Sequence, residues 1–211
     1  MAADFLTGVR SEALADLHPI SPEAPSMPHQ PLARLVLRLT EAIGEAPCDT
    51  TRCQAVEQAL VDAATPELLP AALRLPHPDH YARHLVHRDS QGRFSMIAMV
   101  WGPGQGTPIH DHGGLWCVEC VLQGSIEVHA YQPYDRESDD RQGFRRADMI
   151  KASFGEAGHL IPPLDHHVLT NPFDEIAVTL HVYGGDMAWC RTFMPHKDGG
   201  FVEERRELSV D

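Results

Sequence analysis

No stretch of this sequence approaches the roughly 20 consecutive apolar residues of a membrane-spanning helix. The N-terminus, Met-Ala-Ala-Asp-Phe-Leu-Thr-Gly-Val-Arg, has neither the basic start nor the apolar middle of a secretion signal. A soluble, cytoplasmic protein is expected. Basic residues are scarce: 17 Lys and Arg stand against 30 Asp and Glu, for a formal net charge of -13. A phosphate backbone or an anionic lipid surface would be repelled, so nucleic acid and membranes are disfavoured as partners. Cysteine is sparse and odd in number, at 5 in 211 residues, which speaks against a disulfide scaffold and for a reducing compartment. Nothing in the sequence implies an oligomeric state.

What is present is enough apolar residue, 43%, to bury the core of a single structural domain. Residues 1–31 are polar and rich in proline towards their end, and read as a short helix or loop followed by an extended arm. Leu32, Leu35, Val36, Leu39 and Ile43 recur at helical spacing up to about Ala46. A second helix is expected from Thr50-Thr51 to Ala63, and a third over Pro66–Leu75, with proline in its first turn. Cys48 and Cys53 flank the start of the second helix, as buried or free thiols or, with partners from elsewhere, as a metal pair.

After Pro76-His77-Pro78 the texture changes to short β-rich segments broken by Gly, Pro, Asp and Asn. They are His84–His87, Phe94–Trp101, Trp116–Leu122, Ser125–Tyr131, Met149–Ala152, His159–Ile161, His167–Thr170, Ile176–Tyr183 and Trp189–Phe193. Many short strands with turns between them imply a sandwich or barrel, so the fold class is mainly β with an α-helical N-terminal region. The division expected is residues 1–76, helical and packed on the barrel, and 77–211, the barrel itself. Asp135–Arg146, dense in both charge signs, reads as a solvated loop, and Glu203–Glu207 as a surface tail.

The chain is organised around Gly104–Gly124. His110 and His112 are two apart and share a face if the segment is a strand, and the run from Cys117 through Gly124 to Tyr131 suggests a hairpin. With 14 histidines in the chain, one such pair is weak. The full pattern, Gly104-x5-His110-x-His112-x4-Cys117-x6-Gly124, resembles the first cupin motif, with cysteine where that motif has glutamate. Pro162, His167 and Asn171 resemble the second, with Leu164 in place of its glycine. The resemblance implies a jelly-roll-like β-barrel whose metal ligands are His110, His112 and His167. Three neutral imidazoles leave a divalent metal with up to three open positions, suited to a chelating anion and O2. Glu119, on the same strand face as Cys117, competes for the missing carboxylate, one pleat further on.

Four further segments resemble the cysteine dioxygenase family over roughly residues 77–195. Tyr81-Ala82-Arg83 matches the segment whose arginine binds the substrate carboxylate, and the planar fork of Arg83 suits that role, though arginine is more often a surface residue. Phe94–Trp101 and Gly102 match the approach to the ligands. Cys117 stands where some members carry a cysteine thioether-linked to tyrosine. Thr179, His181 and Tyr183 alternate on one strand, setting hydroxyl, imidazole and phenol on one face.

The resemblance implies an Fe(II)-dependent dioxygenase that places both atoms of O2 on the sulfur of one small thiol carboxylate: cysteine, 3-mercaptopropionate or mercaptosuccinate. It gives Arg83, Tyr81 and Thr179 to substrate binding. Tyr183, held by His181, would position oxygen, with a Cys117-Tyr183 thioether as an added cofactor element. Family members acting on 3-mercaptopropionate have glycine and glutamine at the positions of Cys117 and Arg83, so these residues favour a cysteine-like substrate. The alternatives are another mononuclear metal cupin enzyme, or a non-catalytic cupin that senses a ligand.

Overall fold

A computed structural model describes residues 30–136 and 141–211. The extended arm expected before Pro31 lies, up to residue 29, outside the described residues. Two helices open the described chain, α1 (Gln30–Glu45) and α2 (Asp49–Ala63). The apolar stripe of α1 buries Leu35, Leu39 and Ile43, each contributing about 1.5–3 kcal/mol through area removed from water. Arg52 of α2 donates to the carbonyls of Ile43 and Ala46, satisfying acceptors that the end of α1 leaves open. The third expected helix does not form. Pro70 lacks an amide hydrogen and disfavours helical backbone at Leu69, so Pro66–Leu75 is reduced to a turn and a 3-10 segment, Ala71–Arg74.

Eleven strands follow: β1 (Ala82–Arg88), β2 (Ser95–Trp101), β3 (Ile109–His110), β4 (Cys117–Gln123), β5 (Ser125–Asp135), β6 (Gln142–Ser153), β7 (Ala157–Leu160), β8 (His167–Thr170), β9 (Ala177–Tyr183), β10 (Trp189–Pro195) and β11 (Phe201–Glu207). One sheet has the order β1-β2-β9-β4-β7, and the other six close on themselves as β10-β11-β6-β5-β8-β3. This is the mainly β, cupin-type barrel that the motifs imply.

Three local expectations change. β4 and β5 are not a hairpin, because β4 pairs with β7 and β9 whereas β5 pairs with β6 and β8. Gly124, at φ +67, turns the chain from one sheet into the other. The loop placed over Asp135–Arg146 is shorter, since Gln142–Arg146 already pairs with β5. The charged tail is strand β11, paired along its length with β10, so its charges are the exposed face of a barrel strand.

The period of two in the strands divides the interior. Met96, Ala98 and Val100 of β2, Val118, Cys120 and Leu122 of β4 and Val178, Leu180 and Val182 of β9 face the helices in one core. The alternate residues, among them Ile97, Met99, Trp101, Cys117, Val121 and Tyr183, face the barrel. β2 and β9 are buried on both faces. The polar residues of β9 therefore project into the barrel without disturbing the core behind them.

Candidate metal centre

His110 ends β3, and its Cα partners across the sheets are His167 of β8 and Thr192 of β10. His112 lies beyond the strand, in the turn that follows, so the two ligands do not share one strand face as the sequence predicted. They still converge: one nitrogen from each of His110, His112 and His167 falls within a group spanning no more than 4.8 Å. The His110 and His167 Nε2 atoms are 3.2 Å apart.

The surroundings orient each ring. His110 Nδ1 lies 3.1 Å from the carbonyl of Pro108, an acceptor, so it carries the hydrogen and Nε2 presents its lone pair to the cluster. Asp165 accepts the His112 amide at 3.2 Å, and the same oxygen lies 3.6 Å from His112 Nδ1, a carboxylate behind the ring as metal-binding histidines commonly have. Asp111, between the two ligands, points the other way. It accepts the amides of Gly113 and Arg191 and pairs with the Arg191 guanidinium, locking the segment to β10. The sequence reading missed Asp111 and Asp165; the alternation His-Asp-His was the only local signal for the first.

Burial pushes His110 down to about 4 and His167 well below its ordinary value, so both are neutral ligands at neutral pH. Both ring nitrogens of His112 and Nδ1 of His167 are buried without a hydrogen-bond partner. Convergent imidazoles, with unpaired nitrogens on His112 and His167, fit a divalent transition metal, which would be held by His110, His112 and His167.

Beside the cluster is a small pocket. Tyr81, Arg83, His110, His181, Tyr183 and Arg206 are among its lining residues. Arg83 is buried, donates to the Ser209 carbonyl at 2.7 Å, and its amide donates to Asp211 at 2.7 Å, so it also anchors the end of the described chain. Tyr81 packs its ring 4.7 Å from that of Trp101. Arg206, on β11, was missed because its charged run read as a surface tail.

Cys117 and Tyr183 are direct cross-strand partners, and both are buried. Burial drives the thiol and the phenol well above their ordinary values, so both keep their hydrogens. His181 does not hold the Tyr183 hydroxyl as expected. Its Nε2 bonds Thr179 Oγ1 at 2.7 Å and its Nδ1 faces Glu119 Oε1 at 3.3 Å, while the Tyr183 ring stacks on it with centroids 6.0 Å apart. Cys48 is exposed and Cys53 is buried, its thiol pushed up to about 12 by burial.

The zebrafish (Danio rerio) cysteine dioxygenase type 1 is 30% identical over 114 residues, covering 54% of this chain and 55% of that protein. The Rattus norvegicus protein of the same name is 29% identical over 119 residues, with the same coverage. The chain thus spans about half the length of the curated relatives it matches. Among solved structures, a protein with a double-stranded β-helix domain from Klebsiella pneumoniae aligns at a TM-score of 0.44 and 16% identity, over 55% of this chain and 87% of that one. The family model for cysteine dioxygenase type I matches residues 22–196, well over half of the sequence, and the chain belongs to that family.

Proposed function

We propose that this protein is a thiol dioxygenase that uses ferrous iron at His110, His112 and His167 to oxidise a small thiol carboxylate to its sulfinate. The observation that carries the reading is the placement of the three-histidine cluster beside an arginine-lined pocket in a chain of this family. The overall change is RSH + O2 → RSO2H: sulfur loses four electrons, O2 gains them, and both oxygen atoms end on sulfur. A bound ferrous ion supplies Lewis acidity towards the thiol and electrons towards O2.

The protein's own groups position the reactants. Arg83, a lining residue of the pocket, pairs with the substrate carboxylate, and Tyr81 lines the same pocket. His181 lines the pocket, and Thr179, which the resemblance gave to substrate binding, lies behind it, bonded to its Nε2 at 2.7 Å. Tyr183 keeps its phenolic hydrogen and so acts as a hydrogen-bond donor to the oxidised group forming on sulfur. Cys117 lies directly across from Tyr183, a placement that supports thioether formation between them. Such a link would fix the phenol ring and remove an oxidisable thiol. Arg206 puts a second guanidinium on the pocket, which favours mercaptosuccinate, whose two carboxylates use both cations, over thiols with one.

Iron-loaded protein should consume O2 and release sulfinate in equal amounts when given cysteine, 3-mercaptopropionate or mercaptosuccinate. No uptake with any of these thiols refutes the reading. His110→Ala should abolish iron retention, and unchanged iron content would refute the ligand set. In the intact protein, a mass lower by two hydrogens would reveal the thioether.

A further inference from the structure

A second cavity, of about 460 Å³, lies between β4 and β7 of one sheet and β5, β6 and β8 of the other, and the mechanism above does not use it. Its residues Lys151, Glu156 and His159 are exposed, whereas Val121, Ile126, Leu169 and Thr179 are buried. Glu119, which also lines it, has its Oε1 3.6 Å from His167 Nε2. The cavity thus runs from solvent to the edge of the histidine cluster.

A thin wall separates it from the pocket beside the cluster. Leu169 lines both spaces, two residues after His167 and on the same face of β8. Its amide donates to Thr107 Oγ1 at 3.0 Å and its carbonyl accepts the Thr107 amide at 2.9 Å, so its backbone is held and its side chain is the part that can move. The rest of the wall includes the bonded pair Thr179, on the cavity, and His181, on the pocket.

The two spaces suit opposite chemistries. Arg83 and Arg206 bring positive charge to the pocket, which draws an anionic thiol. The cavity is walled by Val121, Ile126, Val128, Leu160 and Leu169, and its acidic residues Glu119 and Glu156 repel an anion. At its exposed end Lys151 lies over the Phe173 ring, 4.5 Å from the centroid, and His159 bonds Glu57 at 2.7 Å. A carboxylate entering there would give up its hydration without a partner. Dioxygen is small, neutral and apolar, and such walls favour it as they favour xenon. A thiol seated at Arg83 fills the small pocket, so a gas that joins it needs another way in.

We infer that this second cavity is the entrance for dioxygen, which collects against Leu169 and passes that side chain to reach the histidine centre. The inference rests on the proposed dioxygenase function. The thiol and the gas then arrive by separate routes, one charged and one apolar, and neither blocks the other.

Val128 lines the cavity from β5 and is the cross-strand partner of Leu169, so Val128→Phe puts a ring in the route without replacing a residue of the site. The test uses the iron-loaded full chain with thiol bound, and nitric oxide as an apolar diatomic probe whose association is followed by stopped-flow absorbance. Val128→Phe should slow association at least about tenfold, the factor given by a barrier about 1.4 kcal/mol higher, with the Michaelis constant for the thiol unchanged. An unchanged association rate overturns the inference and leaves the dioxygenase function standing. Wild-type protein that gives no nitric oxide signal at all refutes the ferrous centre, and the entrance falls with it. Should Val128→Phe fail to fold, wild-type crystals under xenon pressure decide: xenon density among Val121, Ile126 and Leu169 supports the route, and a cavity without xenon overturns it.

Discussion

Asn171→Ala tests how the second motif builds the site without touching the metal. Asn171 is fully buried. Its Nδ2 donates to the Trp101 carbonyl at 2.9 Å and to the Glu175 carbonyl at 2.8 Å, and its Oδ1 accepts the Phe173 amide at 3.1 Å. Its backbone pairs with Gln105 and Gly104, so one residue ties the end of β8 to β2 and to the loop leading to His110. Each side-chain bond is worth about 1 kcal/mol net, and a buried partner left unsatisfied costs about 1–3 kcal/mol. Removing all three should therefore cost about 3–5 kcal/mol, a large part of a typical stability of about 5–15 kcal/mol. Urea unfolding read by circular dichroism measures it, with the midpoint falling at unchanged slope. Asn171→Asp should cost at least as much, because a carboxylate would face two carbonyl oxygens. A loss below about 1 kcal/mol for the alanine variant would refute the reasoning, since it would mean those carbonyls find other donors.

Arg83→Gln should raise the KM for carboxylate thiols about 10- to 100-fold, as loss of a charged hydrogen bond worth about 1.5–3 kcal/mol requires; an equal rise for cysteamine, which has no carboxylate, would remove its assigned role. Gly124→Ala should cost about 1–3 kcal/mol in thermal or urea unfolding, because φ is +67 and an added Cβ would meet the Ile176 carbonyl oxygen at 2.7 Å. Gly155→Ala, at φ +81 with open space around it, should cost less, and equal losses would show that the clash contributes nothing. Metal-free protein should lose stability as pH falls from about 6.5 to about 4. In that window the unfolded chain takes up a proton on His110 that the buried ring refuses. The contribution from His110 is roughly 3 kcal/mol at about 1.4 kcal/mol per pH unit; flat stability across the window would show that the ring is protonated when folded.

The sequence by itself determined whatever depends on local periodicity and on residue type. The 3.6-residue stripe of Leu35, Leu39 and Ile43 specified α1, because side chains at that spacing share a face whatever they pack against. The period of two in Thr179, His181 and Tyr183 specified that they share a face of β9. The spacing of the two motifs singled out His110, His112 and His167, which the structure brings together.

Tertiary structure decided which strands are neighbours and what each polar group meets, because those depend on register between segments far apart in the chain. Gly124 was legible as a turn, but not as a corner between two sheets, since hairpin and corner share the same local residues. The tail became β11 only by pairing with β10, which carried Arg206 to the pocket. Glu119 faces His181 because β4 and β9 pair with these two residues opposite, the same register that sets Cys117 against Tyr183. A one-residue slip would have turned every one of these side chains to the other face of the sheet.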